Sequence, residues 1–181
     1  RSTPPMLSLL AASACAARQP SVLVYGSTPA GCAAAIAAAR HNASVTLVSA
    51  TSHLGGMMSG GLSCVDAVGR RPVGGIAKEY MELALGAYKY RNIGHPHCFA
   101  TAEPHVLAAT FVRMLRSAGV KVVPEAPLVS VEVEATGGSR RVAAVLAAGN
   151  KSFAADVFID ASYEGDVLAG AGVTYTVGRE A

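Results

Sequence analysis

The sequence predicts an α/β fold in which helices pack on a parallel sheet and a separate antiparallel meander follows. Three observations predict it: a strand–helix–strand unit at 22–48, short alternating strands with glycine turns at 128–155, and another buried strand at 157–160. Of the 181 residues, 51% are hydrophobic and 15% are charged, which is a globular composition. The chain is long enough for one core, which we expect to begin at Ser21.

The first unit runs from a buried strand through a helix to a second buried strand. Val22–Tyr25 is a short apolar run ending at Gly26, and an alanine-rich helix is predicted from Pro29 to about His41. Proline suits the first turn of a helix because no helical hydrogen bond needs its missing N–H. Val45–Val48 is the second strand, so we expect a right-handed βαβ crossover.

The rest of the chain is predicted as a long loop, two helices, a strand, the meander and a final strand–helix pair. Residues 49–75 are rich in glycine and have no sustained period, and loops of that length tend to carry function. The meander turns at Gly137-Gly138 and Gly149-Asn150. The predicted elements are helices 76–87 and 104–118, strand 120–123, meander strands 128–134, 141–147 and 152–155, strand 157–160 and helix 164–170.

The first twenty residues differ from the rest of the chain and are treated as a leader. Residues 6–17 form an uncharged apolar run after Arg1, too short for a membrane span but long enough for a signal-peptide core. This run is interpreted either as a targeting segment or as a disordered extension. The compartment therefore stays open too, exported or cytoplasmic.

Charge and cysteine content argue against several other classes of function. The net charge of +3 comes from scattered basic residues, so no footprint for nucleic acid is expected. The four cysteines form no CxxC pair, and Cys32 lies in a helix of small residues, which favours packing. The His-Pro-His-Cys run at 95–98 invites a metal interpretation, but its proline and close spacing favour a loop. We predict no metal site there.

The junction between the first strand and its helix carries the main functional signal. YGSTPAG at Tyr25–Gly31 approximates G-x-G-x-x-G, with Gly26 and Gly31 as first and third glycines and Thr28 in place of the second. The first glycine permits a tight turn, the third brings the helix close to the sheet, and the helix N-terminus suits a pyrophosphate. Ser49 stands where an acidic residue normally binds a ribose, and its hydroxyl can still do so without the charge. A tight turn that binds no ligand is the alternative.

Several motifs in the same order resemble a known family. They are VLVYGSTPAGCAAAIAAAR (22–40), SHLGGMMSGGLS (52–63), GGIAKEY (74–80), EPHV (103–106) and FIDASYEGDVLAGAGVTYTVGRE (158–180). From about Ser21 to the last residue, the chain is similar to the FAD-dependent oxidoreductases of the glutathione-reductase and fumarate-reductase type.

The resemblance implies a FAD/NAD(P)-binding Rossmann-like three-layer fold with a parallel sheet and an antiparallel β-meander. It also implies FAD as cofactor and redox chemistry on an unidentified small molecule through the flavin. Proteins of this family usually have several hundred residues. By the resemblance, then, residues 21–181 are a partial FAD-binding domain, truncated before the substrate domain, and the remaining C-terminal portion of the polypeptide is its partner.

The same resemblance assigns three segments to FAD. The glycine turn would hold the pyrophosphate, Ser49 would lie near the adenosine ribose, and the LGGM loop would lie beside the pyrophosphate, ribityl chain and flavin. Consecutive glycines let backbone N–H groups approach anionic oxygens. The third segment is residues 160–166, which follow the last predicted strand. Its Asp160 and Asp166 either take part in the cofactor contact or are a strand-end cap and a helix N-terminal charge. The predicted contacts are Gly26, Ser27, Thr28, Pro29, Ala30, Gly31, Ser49, Leu54, Gly55, Gly56, Met57, Ala161 and Ser162.

No catalytic acid or base is identified. His53 and Cys64 lie near the predicted flavin loop, but a loop histidine bonded to backbone and a small buried thiol are the alternatives. Two other functions stay open, an NAD(P)-binding Rossmann domain and a non-catalytic nucleotide-binding remnant. The meander and the LGGMMSGG loop favour FAD, because a plain NAD domain would continue in βα units.

Overall fold

The computed structural model of the protein describes residues 18–62, 73–86 and 102–178. They form a layer of helices, a four-stranded parallel sheet and a three-stranded antiparallel sheet, which confirms the predicted α/β class. The strands are β1 Ser21–Tyr25, β2 Ser44–Val48, β3 Lys121–Val123, β4 Leu128–Thr136, β5 Ser139–Ala147, β6 Lys151–Ala154 and β7 Val157–Asp160. The helices are α1 Pro29–Arg40, α2 Gly56–Ser59, α3 Gly75–Leu85, α4 Pro104–Ser117 and α5 Asp166–Gly170.

Several sequence predictions fall outside the described residues. They concern the targeting segment at 6–17, the candidate Cys64 and the His-Pro-His-Cys run at 95–98. Within residues 18–62, 73–86 and 102–178, no helix has both the length and the apolar character needed to cross a bilayer.

The parallel sheet has the strand order β3-β2-β1-β7. Its register aligns Tyr25, the last residue of β1, with Val48 of β2 and with Asp160 of β7. Because the strands are parallel, the loops that follow β1, β2 and β7 leave the sheet at the same edge. The three segments predicted to bind the cofactor therefore meet at this edge.

Helices α1, α3 and α4 cover one face of the parallel sheet. Cys32, Ala35 and Ile36 of α1 are completely buried against it, as the run of small residues in this helix indicates. In the same layer, the rings of Tyr80 and Phe111 stack with their centroids 4.0 Å apart. This aromatic pair joins α3 to α4.

The antiparallel sheet and α5 cover the other face. Leu23 and Tyr25 point to this side and pack in a cluster with Val145 and Val167, whereas Val24 belongs to the helical side. A strand buried on both faces needs apolar residues at every position. The unbroken apolar run that predicted β1 follows from its place between the two layers.

The structure corrects some of the predicted bounds. The loop predicted at 49–75 contains the short helix α2, since four residues give no measurable period. The turn at Gly137-Gly138 is tight, with positive φ at both glycines, so β4 and β5 each extend two residues closer to it than predicted. Helix α5 begins at Asp166 instead of Glu164, because Gly165 precedes it with a left-handed φ of 73°.

Candidate nucleotide-binding site

A pocket of about 220 Å³ lies at the edge of the parallel sheet where β1, β2 and β7 end. Open α/β sheets characteristically bind ligands outside the carboxyl ends of their strands. The pocket brings together residues from all three predicted segments. The predicted contacts that line it are Gly26, Ser27, Thr28, Ser49, Gly56 and Ser162.

The two glycines that match the pattern have the steric roles that the sequence predicts. Gly26 has a φ of 103°, and a Cβ there would clash with the backbone of Ala161 and Ser162. A Cβ on Gly31 would overlap the carbonyl oxygen of Gly26. The first glycine thus permits the turn, and the third lets α1 approach it closely.

Thr28 stands where the pattern has its second glycine, and its side chain is turned into the protein. As the N-cap of α1, its hydroxyl accepts a hydrogen bond from Gly31 N (3.1 Å) and donates one to Ala161 O (2.8 Å). Only 8% of the residue is exposed. Thr28 therefore caps the helix and fastens the turn to the loop after β7.

The glycine turn leaves backbone donors without partners. Within the described part of the chain, the N–H groups of Ser27, Thr28 and Ala30 make no hydrogen bond. They lie at the N-terminus of a 12-residue helix, whose first turn holds no acidic side chain. Free N–H groups and the positive end of the helix dipole together suit an anionic group.

Ser49 lies at the end of β2 with its hydroxyl inside a chain of hydrogen bonds. Its Oγ lies 2.7 Å from Ser27 Oγ, which donates in turn to the carbonyl of His53 at 2.9 Å. Thr51 N donates to Ser49 Oγ at 3.3 Å. Ser49 is 1% exposed, whereas the next two residues, Ala50 and Thr51, are exposed and also line the pocket.

The Gly55–Gly56 turn is held between the glycine turn and α4. Both residues have positive φ, and Gly55 N donates to Ser27 O at 2.8 Å. A Cβ on Gly55 would overlap the ring of Phe111, and one on Gly56 would overlap the hydroxyl of Tyr163. Neither position accepts a larger residue in this arrangement.

His53 is bonded to its own loop. Its Nε2 lies 3.0 Å from Ser59 Oγ and 3.3 Å from Gly56 O. Because Ser59 Oγ donates to Leu54 O at 2.6 Å, it accepts from the histidine, so the proton is assigned to Nε2. These contacts are those of the loop-histidine alternative, although the residue also lines the pocket.

Cys32 is the cysteine that the structure describes, and it has the environment of a packing residue. It is completely buried, and burial raises the pKa of its thiol to about 12. The thiol therefore stays protonated at neutral pH and is a poor nucleophile or metal ligand. Among the described residues, no group of three or more histidine, cysteine or acidic side chains could hold a metal ion.

Asp160 organises the loop that follows β7. Its Oδ1 accepts hydrogen bonds from Ser162 N (3.0 Å) and Ser162 Oγ (2.7 Å), and its Oδ2 accepts from Leu168 N (2.8 Å). Ser162 Oγ also accepts from Asp166 N at 2.8 Å. Of the two roles that the sequence left open for Asp160, the structure shows the strand-end cap.

Two residues connect this loop to the other two segments. Ala161 N donates to Tyr25 O at 2.8 Å, which continues the pairing of β7 with β1. The hydroxyl of Tyr163 accepts a hydrogen bond from Met57 N at 2.9 Å. Tyr163 is not among the contacts predicted from the sequence, because no local pattern reveals a contact between residues 106 positions apart.

The remaining predicted contacts lie around the same edge. Pro29 and Ala30 form the first turn of α1, Leu54 is buried in the core, and Met57 is exposed at the start of α2. The tertiary structure thus brings the three predicted segments together at one edge of the parallel sheet.

The three-layer arrangement and the glycine turn define a Rossmann-like domain of the FAD/NAD(P)-binding class. The chain belongs to the FAD dependent oxidoreductase family, whose model matches residues 21–181. This match confirms the resemblance inferred from the motifs. FAD is the cofactor of this family, and its members are oxidoreductases.

Solved structures share the fold at low sequence identity. THI4 of Thermovibrio ammonificans superposes with a TM-score of 0.63 and 18% identity, over 86% of this chain and 64% of that protein. L-proline dehydrogenase from P. horikoshii gives 0.59 and 14%, over 89% and 58%. FqzB gives 0.54 and 20%, over 80% and 37%. The chain spans less than two thirds of each of these proteins, and no curated protein matches it.

Proposed function

We propose that this chain forms the FAD-binding part of a flavin-dependent oxidoreductase that acts on a small molecule. The observation that carries the proposal is the set of free N–H groups at Ser27, Thr28 and Ala30. They lie at the start of α1, beside a pocket at the strand ends. A dinucleotide pyrophosphate is the part of FAD that such donors recognise.

In this proposal, the glycine turn binds the pyrophosphate through its backbone. The pocket lining includes Glu164 and Asp166 but, among the described residues, no lysine or arginine. Binding of the phosphates therefore depends on main-chain donors and on the dipole of α1 instead of side-chain cations. Gly26 and Gly31 keep these donors accessible, since a Cβ at either position would displace the turn.

The adenosine ribose would lie beside the end of β2. Ser49 has no carboxylate to offer, and its hydroxyl is bonded to that of Ser27. The exposed Ala50 and Thr51 lie next to it and complete this wall of the pocket. We propose that the ribose packs against residues 49–51, with the Ser27–Ser49 pair accepting a hydrogen bond from a ribose hydroxyl.

The other predicted segments would complete the binding site. Leu54, Gly55, Gly56 and Met57 would lie along the cofactor, with Ala161 and Ser162 opposite. When bound, FAD supplies the hydride or electron transfer, and the protein contributes position and polarity. The substrate, the electron partner and the catalytic acid or base concern the function of the whole protein, and no residue of this chain is assigned to them.

Flavin absorbance tests the proposal directly. Purified protein that is incubated with FAD and then freed of excess cofactor should keep a yellow colour and visible flavin absorption. A protein that fails to retain FAD but binds NAD(P) would favour the second candidate function. A protein that retains neither would favour the non-catalytic remnant.

A glycine substitution tests the role of the turn. We expect Gly31→Ala to weaken FAD binding by tenfold or more, because its Cβ would overlap Gly26 O and push α1 away from the turn. Gly74→Ala is the matched control, since an added Cβ there meets no atom of the described residues within 4 Å. Titration of flavin fluorescence measures both, and circular dichroism checks folding. Equal affinity in the two variants would contradict the proposed contact.

A further inference from the structure

Tyr163 lies across the pocket, between the loop after β7 and the Gly55–Gly56 turn. Its hydroxyl accepts a hydrogen bond from Met57 N at 2.9 Å. A Cβ added to Gly56 would overlap that hydroxyl, and it would also lie 3.3 Å from the Cδ of Pro29. The hydroxyl of Tyr163 thus lies where the Gly55–Gly56 turn faces the start of α1.

The N–H of Met57 belongs to the segment expected to face the cofactor. Two consecutive glycines with positive φ precede it and bring the backbone close to the pocket without side chains in the way. In the structure, a phenol oxygen already accepts from this N–H. One N–H makes one good linear hydrogen bond at a time, so Tyr163 and a cofactor oxygen would compete for it.

We propose that Tyr163 is a plug that closes the nucleotide pocket in the free protein and must swing outward before FAD enters. This inference rests on the proposed function. With Tyr163 in place the pocket measures about 220 Å³, below the roughly 300–1,000 Å³ of typical ligand pockets. Outward movement of Tyr163, one of the lining residues, would enlarge the pocket for a dinucleotide.

The surroundings of Tyr163 allow this movement. The residue is 55% exposed, and a single neutral hydrogen bond holds its hydroxyl among the described residues. Rotation of the side chain moves the hydroxyl into water, where it keeps hydrogen-bond partners. The N–H of Met57 is then free for the cofactor. The free protein exists as a closed form and an open form, and only the open form binds.

Binding kinetics distinguish a plug from a residue that holds the cofactor. Removing a plug raises the fraction of open protein, so association becomes faster while dissociation is unchanged. We expect Tyr163→Phe, which keeps the ring, to associate with FAD about three- to tenfold faster, the factor for one neutral hydrogen bond. Tyr163→Ala should associate at least as fast. The dissociation constants should fall by the same factors.

Tyr175 provides the matched control. It is exposed to a similar extent, 58%, and its hydroxyl makes no hydrogen bond within the described residues. Tyr175→Phe and Tyr175→Ala should bind FAD at the wild-type rates in stopped-flow measurements of flavin fluorescence. Thermal melting shows whether each variant is folded. If Tyr163→Ala does not fold, the association and dissociation rates of Tyr163→Phe test the plug.

Amide hydrogen exchange at Met57 gives a second readout that does not depend on affinity. In the free protein, Tyr163→Phe should exchange this amide faster than the wild type, because its acceptor is lost. Saturation with FAD should protect the amide in both proteins. Protection by FAD in the phenylalanine variant would show that the cofactor takes over the N–H.

Four results would overturn the plug. Slower association or faster dissociation in Tyr163→Phe would make the tyrosine a binding contact. If the amide of Met57 still exchanges unprotected with FAD bound, the cofactor does not accept from this N–H, and Tyr163 does not compete with it. Failure of every protein to bind FAD would refute the proposed function and the plug with it, whereas binding by the wild type with unchanged rates in the variants would refute the plug alone.

Discussion

The polar side chains around the glycine turn already have hydrogen-bond partners within the protein, most of them backbone groups. Thr28 bonds to Gly31 and Ala161, Ser27 bonds to Ser49, and Asp160 bonds to its own loop. The donors that stay free are backbone N–H groups, which do not titrate in the neutral range. Binding of a pyrophosphate by this turn should therefore change little with pH around neutrality.

A single hydroxyl at Thr28 secures both the helix cap and the contact with the β7 loop. We expect Thr28→Val to lower the free energy of unfolding by about 1–2 kcal/mol, since a buried cap is lost together with the partner of Ala161 O. Urea denaturation monitored by circular dichroism measures the change. Thr28→Ser keeps the hydroxyl and should recover most of the stability. Equal losses in both variants would point to packing of the methyl group instead.

At the scale of the elements, an ion pair ties the end of α1 to α3. The guanidinium of Arg40 donates two hydrogen bonds to the carboxylate of Glu79, at 2.6 and 2.7 Å. These bonds lower the pKa of Glu79 below its ordinary value. Arg40 also lies in the last turn of α1, where a positive charge is favourable.

Removing the charge of Glu79 should cost little, because both side chains are partly exposed. We expect Glu79→Gln to lower stability at pH 7 by about 0.5–1 kcal/mol. Since the pKa in the folded state is lowered, this stabilisation is present above pH 4.5, the ordinary value, and disappears as the pH falls through the lowered pKa. Denaturation curves of variant and wild type should converge in acid.

Glu82 offers a control within the same helix. It pairs with Lys78 at 3.9 Å, and both side chains are more than 60% exposed. Glu82→Gln should change stability less than Glu79→Gln at pH 7. A larger loss for Glu82→Gln would show that the ion pair between α1 and α3 does not stabilise their packing.

At the scale of the whole molecule, Tyr25 joins the parallel sheet to the antiparallel one. Its hydroxyl accepts a hydrogen bond from Leu128 N at 2.6 Å, at the start of β4. Burial raises the pKa of Tyr25 above 10.0, and the charges of Asp166 and Asp160 raise it further. The phenol therefore stays neutral below pH 10.0.

Tyr25→Phe should lower the free energy of unfolding by about 1–3 kcal/mol, because the N–H of Leu128 loses its partner. The raised pKa also predicts the alkaline behaviour. The stabilisation by the neutral phenol is complete below pH 10.0 and is lost as the pH rises through the raised pKa of the folded state. The difference between wild type and variant should therefore shrink in strong alkali, whereas Tyr175→Phe should match the wild type throughout.

Local sequence patterns predicted most of the elements and one part of the site. The apolar run of β1, the proline at the start of α1 and the glycines at 26 and 31 each act through nearby atoms, so their effect can be read from neighbouring residues. The short helix α2 was missed, because it is stabilised by long-range contacts and not by its own period.

The α/β class, the glycine turn and the family can be read from the amino-acid sequence, since periodicity, turn residues and ordered motifs are local properties. Which of these parts touch follows from the packing of the folded chain. The strand order β3-β2-β1-β7 brings Ala161 beside Tyr25, and the same packing buries Ser49 and sets Tyr163 over Gly56. Such contacts depend on how distant segments pack together, and no pattern within either segment encodes its partner.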